Sequence, residues 1–327
     1  MPNNKKIFIY QRWGIGDCLM SNDAVKFLKE LFKESEIIFI VASKFVGESL
    51  VEIGIANSYR IVSKKSRFIF LKGLIKLDIR SGDMLLLPVK THPILLLIFK
   101  FLFPNLLILS RNFKQMGQDY ADPLSDSRYR INLEIVKNYF SLSKKNRLLH
   151  AENSDGTSRI QNIIYHLGSG SQPVKRIPTS VIKKVHRKLI EIEPRDCKYY
   201  LLVGPDDFTN DLKDLSDSFP EIIVFYSTTL SDLVSLLKFS IVITGDTGVA
   251  HIASYINGKA LVLAGPTNTI ESAPLKGTKV LRDNSLCEFA PCYGTKNFIS
   301  CPYETKCLSN LSHTSIVKLI ISCKSLN

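Results

Sequence analysis

Short apolar runs bounded by polar or Gly-rich turns alternate along this chain with stretches in which apolar residues recur every three or four positions. In the first half they predict strands over Ile7–Tyr10, Glu36–Ala42, Tyr59–Ser63, Met84–Val89 and Leu106–Ser110. Helices are expected over Leu19–Phe32, Phe45–Ile53, Ser66–Leu77 and Ile94–Phe103. The second half predicts strands over Ile163–Leu167, Tyr199–Gly204, Ile222–Tyr226, Ile241–Gly245, Ala260–Ala264 and Lys279–Arg282. Its helices are Thr179–Glu191, Phe208–Ser218, Leu230–Phe239, Val249–Ile256 and a last one near Ser315–Cys323. This alternation is the mark of an α/β protein with a parallel sheet in each half. The polar stretch Ser143–Gln161 reads as a linker, so the expected domains are residues 1–150 and 151–327, two Rossmann-like folds facing across a cleft. Ligands of such folds bind beyond the carboxyl ends of the strands, which singles out the loops after Tyr10, Leu167, Gly204 and Gly245.

With 327 residues, 45% of them hydrophobic, the chain can fill two cores, which excludes a disordered or fibrous protein. The net charge of +13 is unevenly spread: residues 1–150 hold 24 basic against 13 acidic side chains, a net +11, and the remainder carries +2. A basic first half suits a polyanionic partner such as nucleic acid, an anionic membrane surface or a phosphorylated substrate, and a generally basic proteome gives the same excess. No recognised RNA- or DNA-binding motif accompanies the charge, so no nucleic-acid partner is expected.

Met1–Lys6 runs straight into Ile7–Tyr10 and a Gly-rich loop, unlike a secretory signal, and the chain reads as cytoplasmic. The most apolar stretch, Met84–Ser110, is broken by Pro88, Lys90, His92, Pro93, Lys100, Pro104 and Asn105 and lacks the ~20 apolar residues of a spanning helix. Between Arg60 and Arg80, Lys64, Lys65, Arg67, Lys72 and Lys76 face one acid, Asp78, while Phe68, Leu71, Leu74 and Ile75 fall on one helical face. Two readings fit: a basic amphipathic helix for an anionic bilayer, or a solvated helix packed on its own sheet. With Ile94–Phe103 nearby, the first predicts peripheral contact with the cytoplasmic face of the inner membrane.

Three runs carry candidate chemistry. Gly14-Ile15-Gly16-Asp17 follows the first strand and opens a helix; Asp17 fits an ordinary helix start and equally a general base at a strand tip. Gly168-Ser169-Gly170-Ser171, with Lys175 and Arg176 close behind, offers backbone N–H groups, hydroxyls and positive charge to a diphosphate, without Walker A spacing. A plain Gly/Ser turn would look the same. In Gly245-Asp246-Thr247-Gly248-Val249-Ala250-His251, Asp246 or Thr247 is expected to cap a helix whose first turn Gly248 leaves open to an anion, with His251 within reach. The turn Gly265-Pro266-Thr267-Asn268 closes the same edge.

Taken together, these runs resemble glycosyltransferase family 9, which contains the ADP-heptose:lipopolysaccharide heptosyltransferases. Gly14-Ile15-Gly16-Asp17, Gly168–Ser171 with Lys175, Gly204-Pro205, Asp246-Thr247-Gly248 with His251, and Gly265-Pro266-Thr267 occur in family order across nearly the whole chain. The resemblance implies a GT-B fold and inverting, metal-independent transfer of a sugar from a nucleotide diphosphate donor to a lipopolysaccharide or other surface glycan. By position Asp17 looks like the catalytic base, and Lys175 like the residue that neutralises the diphosphate. Ser169, Gly170, Ser171, Asp246, Thr247, Gly248 and His251 look like parts of the donor site, and Asp206 or Asp207 like a ribose contact. Ile177 departs from the family's usual Trp, and the first-half loops have no obvious match, leaving the acceptor open. The same machinery with another donor or acceptor, and a noncatalytic nucleotide-sugar binder, are the alternatives.

Of seven cysteines, Cys287, Cys292, Cys301 and Cys307 cluster in the tail as C-x4-C-x8-C-x5-C, without the C-x2-C pairs typical of zinc sites. In a reducing cytosol they are expected to be free structural thiols, with a metal site as the second choice and no cofactor.

Overall fold

The computed structural model describes residues 5–62, 67–88, 92, 94–110, 127–140, 160–168, 172–192, 197–204, 209–226, 229–256, 258–274 and 276–324. The expected linker lies almost wholly outside them, as do Ser169, Gly170, Ser171, Pro205, Asp206 and Asp207. The chain divides into two compact units, Met1–Asn153 and Ser154–Asn327.

The first unit holds a five-stranded sheet of β1 (Lys6–Tyr10), β2 (Glu36–Val41), β3 (Ser58–Ile61), β4 (Met84–Leu86) and β5 (Leu107–Leu109), in the order β3-β2-β1-β4-β5. Every pair is parallel, so the expected sheet is present. Parallel strands covered on both faces must be apolar throughout, and Ile37–Val41 are all fully buried. On one face Phe8 and Tyr10 of β1 join Phe70 and Leu74 of helix Arg67–Ile75 and Leu95, Leu96 and Phe99 of helix Ile94–Leu102. Tyr10 touches both helices, edge-on to Phe70 and to Phe99 at centroid distances of 6.5 and 5.6 Å.

The same packing shows that the basic segment includes a helix packed on its own sheet. Phe70, Leu74 and Leu77 point inward, while Ile69, Leu71 and Ile75 stand exposed beside Lys72 and Lys76, so the helix is apolar on two faces. Leu71 and Ile75 are exposed where Leu74, on the adjoining side of the helix, is fully buried. Helix Arg128–Tyr139 has no counterpart in the sequence reading, and neither do the short helices Thr269–Ser272, Lys296–Ile299 and Lys306–Ser309; Arg128–Tyr139 packs beside helix Asn22–Leu31 and bonds Asn132 Nδ2 to the carbonyl of Met20 at 3.2 Å.

The second unit holds β6 (Asn162–His166), β7 (Lys198–Val203), β8 (Ile222–Tyr226), β9 (Ser240–Thr244), β10 (Lys259–Leu263) and β11 (Thr278–Leu281), ordered β11-β10-β9-β6-β7-β8. All are parallel, in the doubly wound order of a dinucleotide-binding fold. Helices Thr179–Ile192 and His313–Lys324 close one face through Val181, Ile182, Val185, Leu189, Ile316 and Ile320. Strand order reverses between β6 and β9, and between β1 and β4 in the first unit. Crevices open at such points, so the loops after β1, β6 and β9 hold the natural ligand positions.

Candidate functional site

At the switch point of the second sheet, β6 and β9 lie in register with His166 opposite Thr244. Their C-terminal loops carry two of the three candidate runs. The first forms a single 3-10 turn, Pro173–Lys175; the second leads into helix Gly248–Tyr255. Both loops press together at Gly245, where a Cβ would stand 3.1 Å from the carbonyl oxygen of Lys175. Lys175 Nζ then reaches the backbone oxygen of Asp246 at 3.4 Å and lies 5.6 Å from the centroid of the Tyr293 ring. A cation is thereby fixed beside the start of a helix, where the dipole is positive, an arrangement that makes sense around an anion; within that first turn the Ala250 amide donates to the Thr247 carbonyl at 3.2 Å.

Neither expected cap is made. Thr247 is the extended N-cap residue, with φ −137° and ψ 166°, yet its side chain caps nothing. Its Oγ1 instead lies 3.0 Å from Thr244 Oγ1 and 3.4 Å from His166 Nδ1, and Thr244 Oγ1 is 2.8 Å from the same nitrogen. Asp246 is also turned aside: Oδ2 accepts from Ser272 Oγ at 2.9 Å, and Oδ1 lies 3.9 Å from His251 Nε2. Asp246, Thr247, Gly248 and Val249 are only partly buried, so the helix start is open to a ligand. His251 is 3% exposed and its ring faces the Asp246 carboxylate.

The imidazole of His166 fills the space a Cβ on Gly168 would need. Burial, with a smaller contribution from nearby Arg176, pushes the His166 pKa down to about 4, so the ring is neutral at physiological pH. Arg176 itself bonds Thr209 Oγ1 at 2.7 Å and Asp211 Oδ1 at 3.3 Å, so its charge is spent on helix Asn210–Ser218 while Lys175 remains at the opening.

Sequence reasoning missed Ser272 and Arg282. Arg282 donates to the carbonyl of Thr267 and so braces the Gly265–Asn268 turn; burial lowers its pKa against the opposing pull of Cys307, Asp246 and Cys292. An Arg directly after a strand, in a sequence that also holds a Gly-Pro-Thr turn, was the available signal; in the fold Arg282 is half-buried.

In the first unit Asp17 lies on the short helix Ile15–Leu19 directly beyond β1 and is partly exposed; its carbonyl accepts from Gln11 Nε2 at 3.1 Å. Arg12, at the same strand end, bonds Tyr10 Oη at 3.1 Å and lies 4.5 Å from the Phe70 ring centroid. Burial pushes the Tyr10 phenol up to about 12 despite that guanidinium.

Cys287, Cys292, Cys301 and Cys307 line one small cavity together with Pro266. Burial and the neighbouring thiols raise Cys292 and push Cys307 up to about 11, so both stay protonated at neutral pH. Among the described residues, no group of three or more His, Cys, Asp or Glu side chains stands in metal-binding geometry. Among the described residues, too, no helix is long and apolar enough to cross a membrane.

Two doubly wound units, one with an uncapped helix start and a lysine at its switch point, define the class of α/β protein. The family model for glycosyltransferase family 9 (heptosyltransferase) matches residues 109–296, more than half of the chain. The chain belongs to glycosyltransferase family 9. Among solved structures, a family 9 glycosyl transferase from Veillonella parvula is similar over 99% of this chain and 98% of its own, with a TM-score of 0.72 at 16% identity. E. coli heptosyltransferase WaaC with ADP matches over 97% and 99%, TM-score 0.69, 13% identity. E. coli ADP-heptose lps heptosyltransferase II matches over 98% and 99%, TM-score 0.67, 15% identity. These likenesses establish the GT-B fold. No curated protein matches the sequence.

Proposed function

We propose that the chain is an inverting, metal-independent glycosyltransferase that moves a sugar, heptose from ADP-heptose, onto lipopolysaccharide or another bacterial surface glycan. The observation that carries this reading is the open start of helix Gly248–Tyr255 beside Lys175. The amides and the ammonium would hold the donor diphosphate and take up the charge that develops on it as the glycosidic bond breaks. Asp17, at the tip of β1, would take the proton from the acceptor hydroxyl. The acceptor oxygen would then attack the anomeric carbon opposite the leaving nucleoside diphosphate, which inverts that centre. Among the solved relatives, WaaC holds ADP and the other E. coli enzyme is named for ADP-heptose, which supports the choice of donor.

An acceptor carried in a membrane favours peripheral contact with the cytoplasmic face of the inner membrane. Ile94, Leu97 and Phe101 form an exposed stripe along helix Ile94–Leu102, Phe101 being 86% exposed, next to exposed Lys100. Ile69, Leu71 and Ile75, with Lys72 and Lys76, continue the pattern on helix Arg67–Ile75, and neither helix contains an acid. Apolar side chains ringed by lysines fit an anionic bilayer.

The test is incubation of the protein with ADP-heptose and glycolipid from a heptose-deficient bacterium, with and without a chelator. ADP release, chelator-insensitive transfer and an inverted anomeric signal by NMR are expected; a retained configuration, or transfer abolished by the chelator and restored by metal, would refute the mechanism.

A further inference from the structure

The uncapped helix start has a local cause. Threonine in the N-cap position ordinarily folds its hydroxyl back onto the amide two or three residues on. At Thr247 that hydroxyl is held 3.0 Å from Thr244 Oγ1 and 3.4 Å from His166 Nδ1. His166 cannot easily turn away: it is the last residue of β6, paired with Thr244 across the sheet, bonded to that residue's hydroxyl at 2.8 Å, and its ring occupies the space over Gly168. The other candidate cap, Asp246, is engaged by Ser272 at 2.9 Å. Both side chains able to close the helix are therefore occupied by residues outside it.

We propose that His166 is a positioning residue for the donor site: by holding the Thr244 and Thr247 hydroxyls it keeps the helix's own cap off the Val249 amide and leaves it, with that of Gly248, for the donor diphosphate, the Ala250 amide being bonded to the Thr247 carbonyl. The inference rests on the reading of that helix start as the diphosphate site. Burial, which keeps the ring neutral, is compatible with the role, since a neutral imidazole nitrogen can accept a hydroxyl proton.

The experiment is titration calorimetry with ADP, and in parallel with inorganic pyrophosphate, of wild type, His166→Phe, His166→Asn, Thr247→Val and the double variant His166→Phe/Thr247→Val, alongside thermal unfolding. Phe keeps a ring over Gly168 but frees the Thr247 hydroxyl to cap the helix, so ADP affinity should fall about five- to ten-fold with little loss in Tm. Asn keeps a hydrogen-bonding group near the Nδ1 position and should bind within about two-fold of wild type, which also serves if the Phe variant does not fold. Because His166 acts through Thr247, the double variant should bind no more weakly than Thr247→Val alone. Additive losses, or a His166→Phe variant that loses Tm but binds ADP as wild type does, would overturn the role of His166 alone. Wild type that binds neither ADP nor pyrophosphate would overturn the diphosphate reading and this inference with it.

Discussion

The carbonyl oxygen of Lys175 lies 3.1 Å from the point that a Cβ on Gly245 would occupy. The cation beside the helix start is thus set by how closely two loops approach. In Gly245→Ala the turn Pro173–Lys175 must give by a few tenths of an ångström, at a cost of about 1 kcal/mol in stability. ADP affinity should fall several-fold, with a small drop in Tm; calorimetry and thermal unfolding read both.

Asp17 stands in a different unit from the diphosphate binders, so the proposed roles separate in kinetics. Asp17→Asn should lower kcat by about 10²–10⁴ and leave ADP affinity unchanged. Steady-state transfer kinetics combined with ADP titration check this, and equal losses in kcat and in affinity would remove the base assignment.

The exposed apolar stripe gives a direct physical expectation. Wild type should co-sediment with phosphatidylglycerol-containing liposomes at low salt and be released by high salt, because the lysine contribution is screened. Leu97→Asp/Phe101→Asp should abolish sedimentation while changing stability by less than about 1 kcal/mol, since both side chains are exposed. Wild type that fails to sediment at low salt would end the membrane proposal.

Much of the fold was legible because parallel sheets covered on both faces leave unbroken apolar runs such as Ile37–Val41. Helix Arg128–Tyr139 was not: Ile131, Leu133 and Ile135 alternate like a strand, and its buried Asn132 donates to the distant carbonyl of Met20 and lies 3.5 Å from Ser21 Oγ. The loops of the candidate site could be read from glycines at strand ends. What decides their chemistry could not, because Asp246 is diverted by a residue 26 positions away, and the paired Thr244 and Thr247 hydroxyls both meet His166, 78 and 81 positions away. Those pairings are set by the register of β6 against β9 and by the turn after β10, which local spacing does not encode.

A pH dependence follows from His166. Its pKa of about 4 in the folded chain lies below the usual 6.5, so the unfolded chain binds more protons between those values. Stability from this group is complete above about pH 6.5 and is lost as the pH falls toward 4, by at most about 3 kcal/mol. His186, lowered by burial against the opposing pull of Glu221, adds in the same direction. Thermal unfolding of wild type should therefore fall more steeply over that range than that of His166→Asn; parallel curves would contradict the shift.

In the proposed mechanism the donor diphosphate is held by Lys175 and the start of helix Gly248–Tyr255. Isothermal titration of wild type and Lys175→Ala with ADP, UDP, GDP and their sugar conjugates tests it most directly. Selective ADP binding that weakens at least ten-fold in the variant, with unfolding unchanged, is expected. Absence of nucleotide binding, or ADP binding indifferent to Lys175, would contradict it.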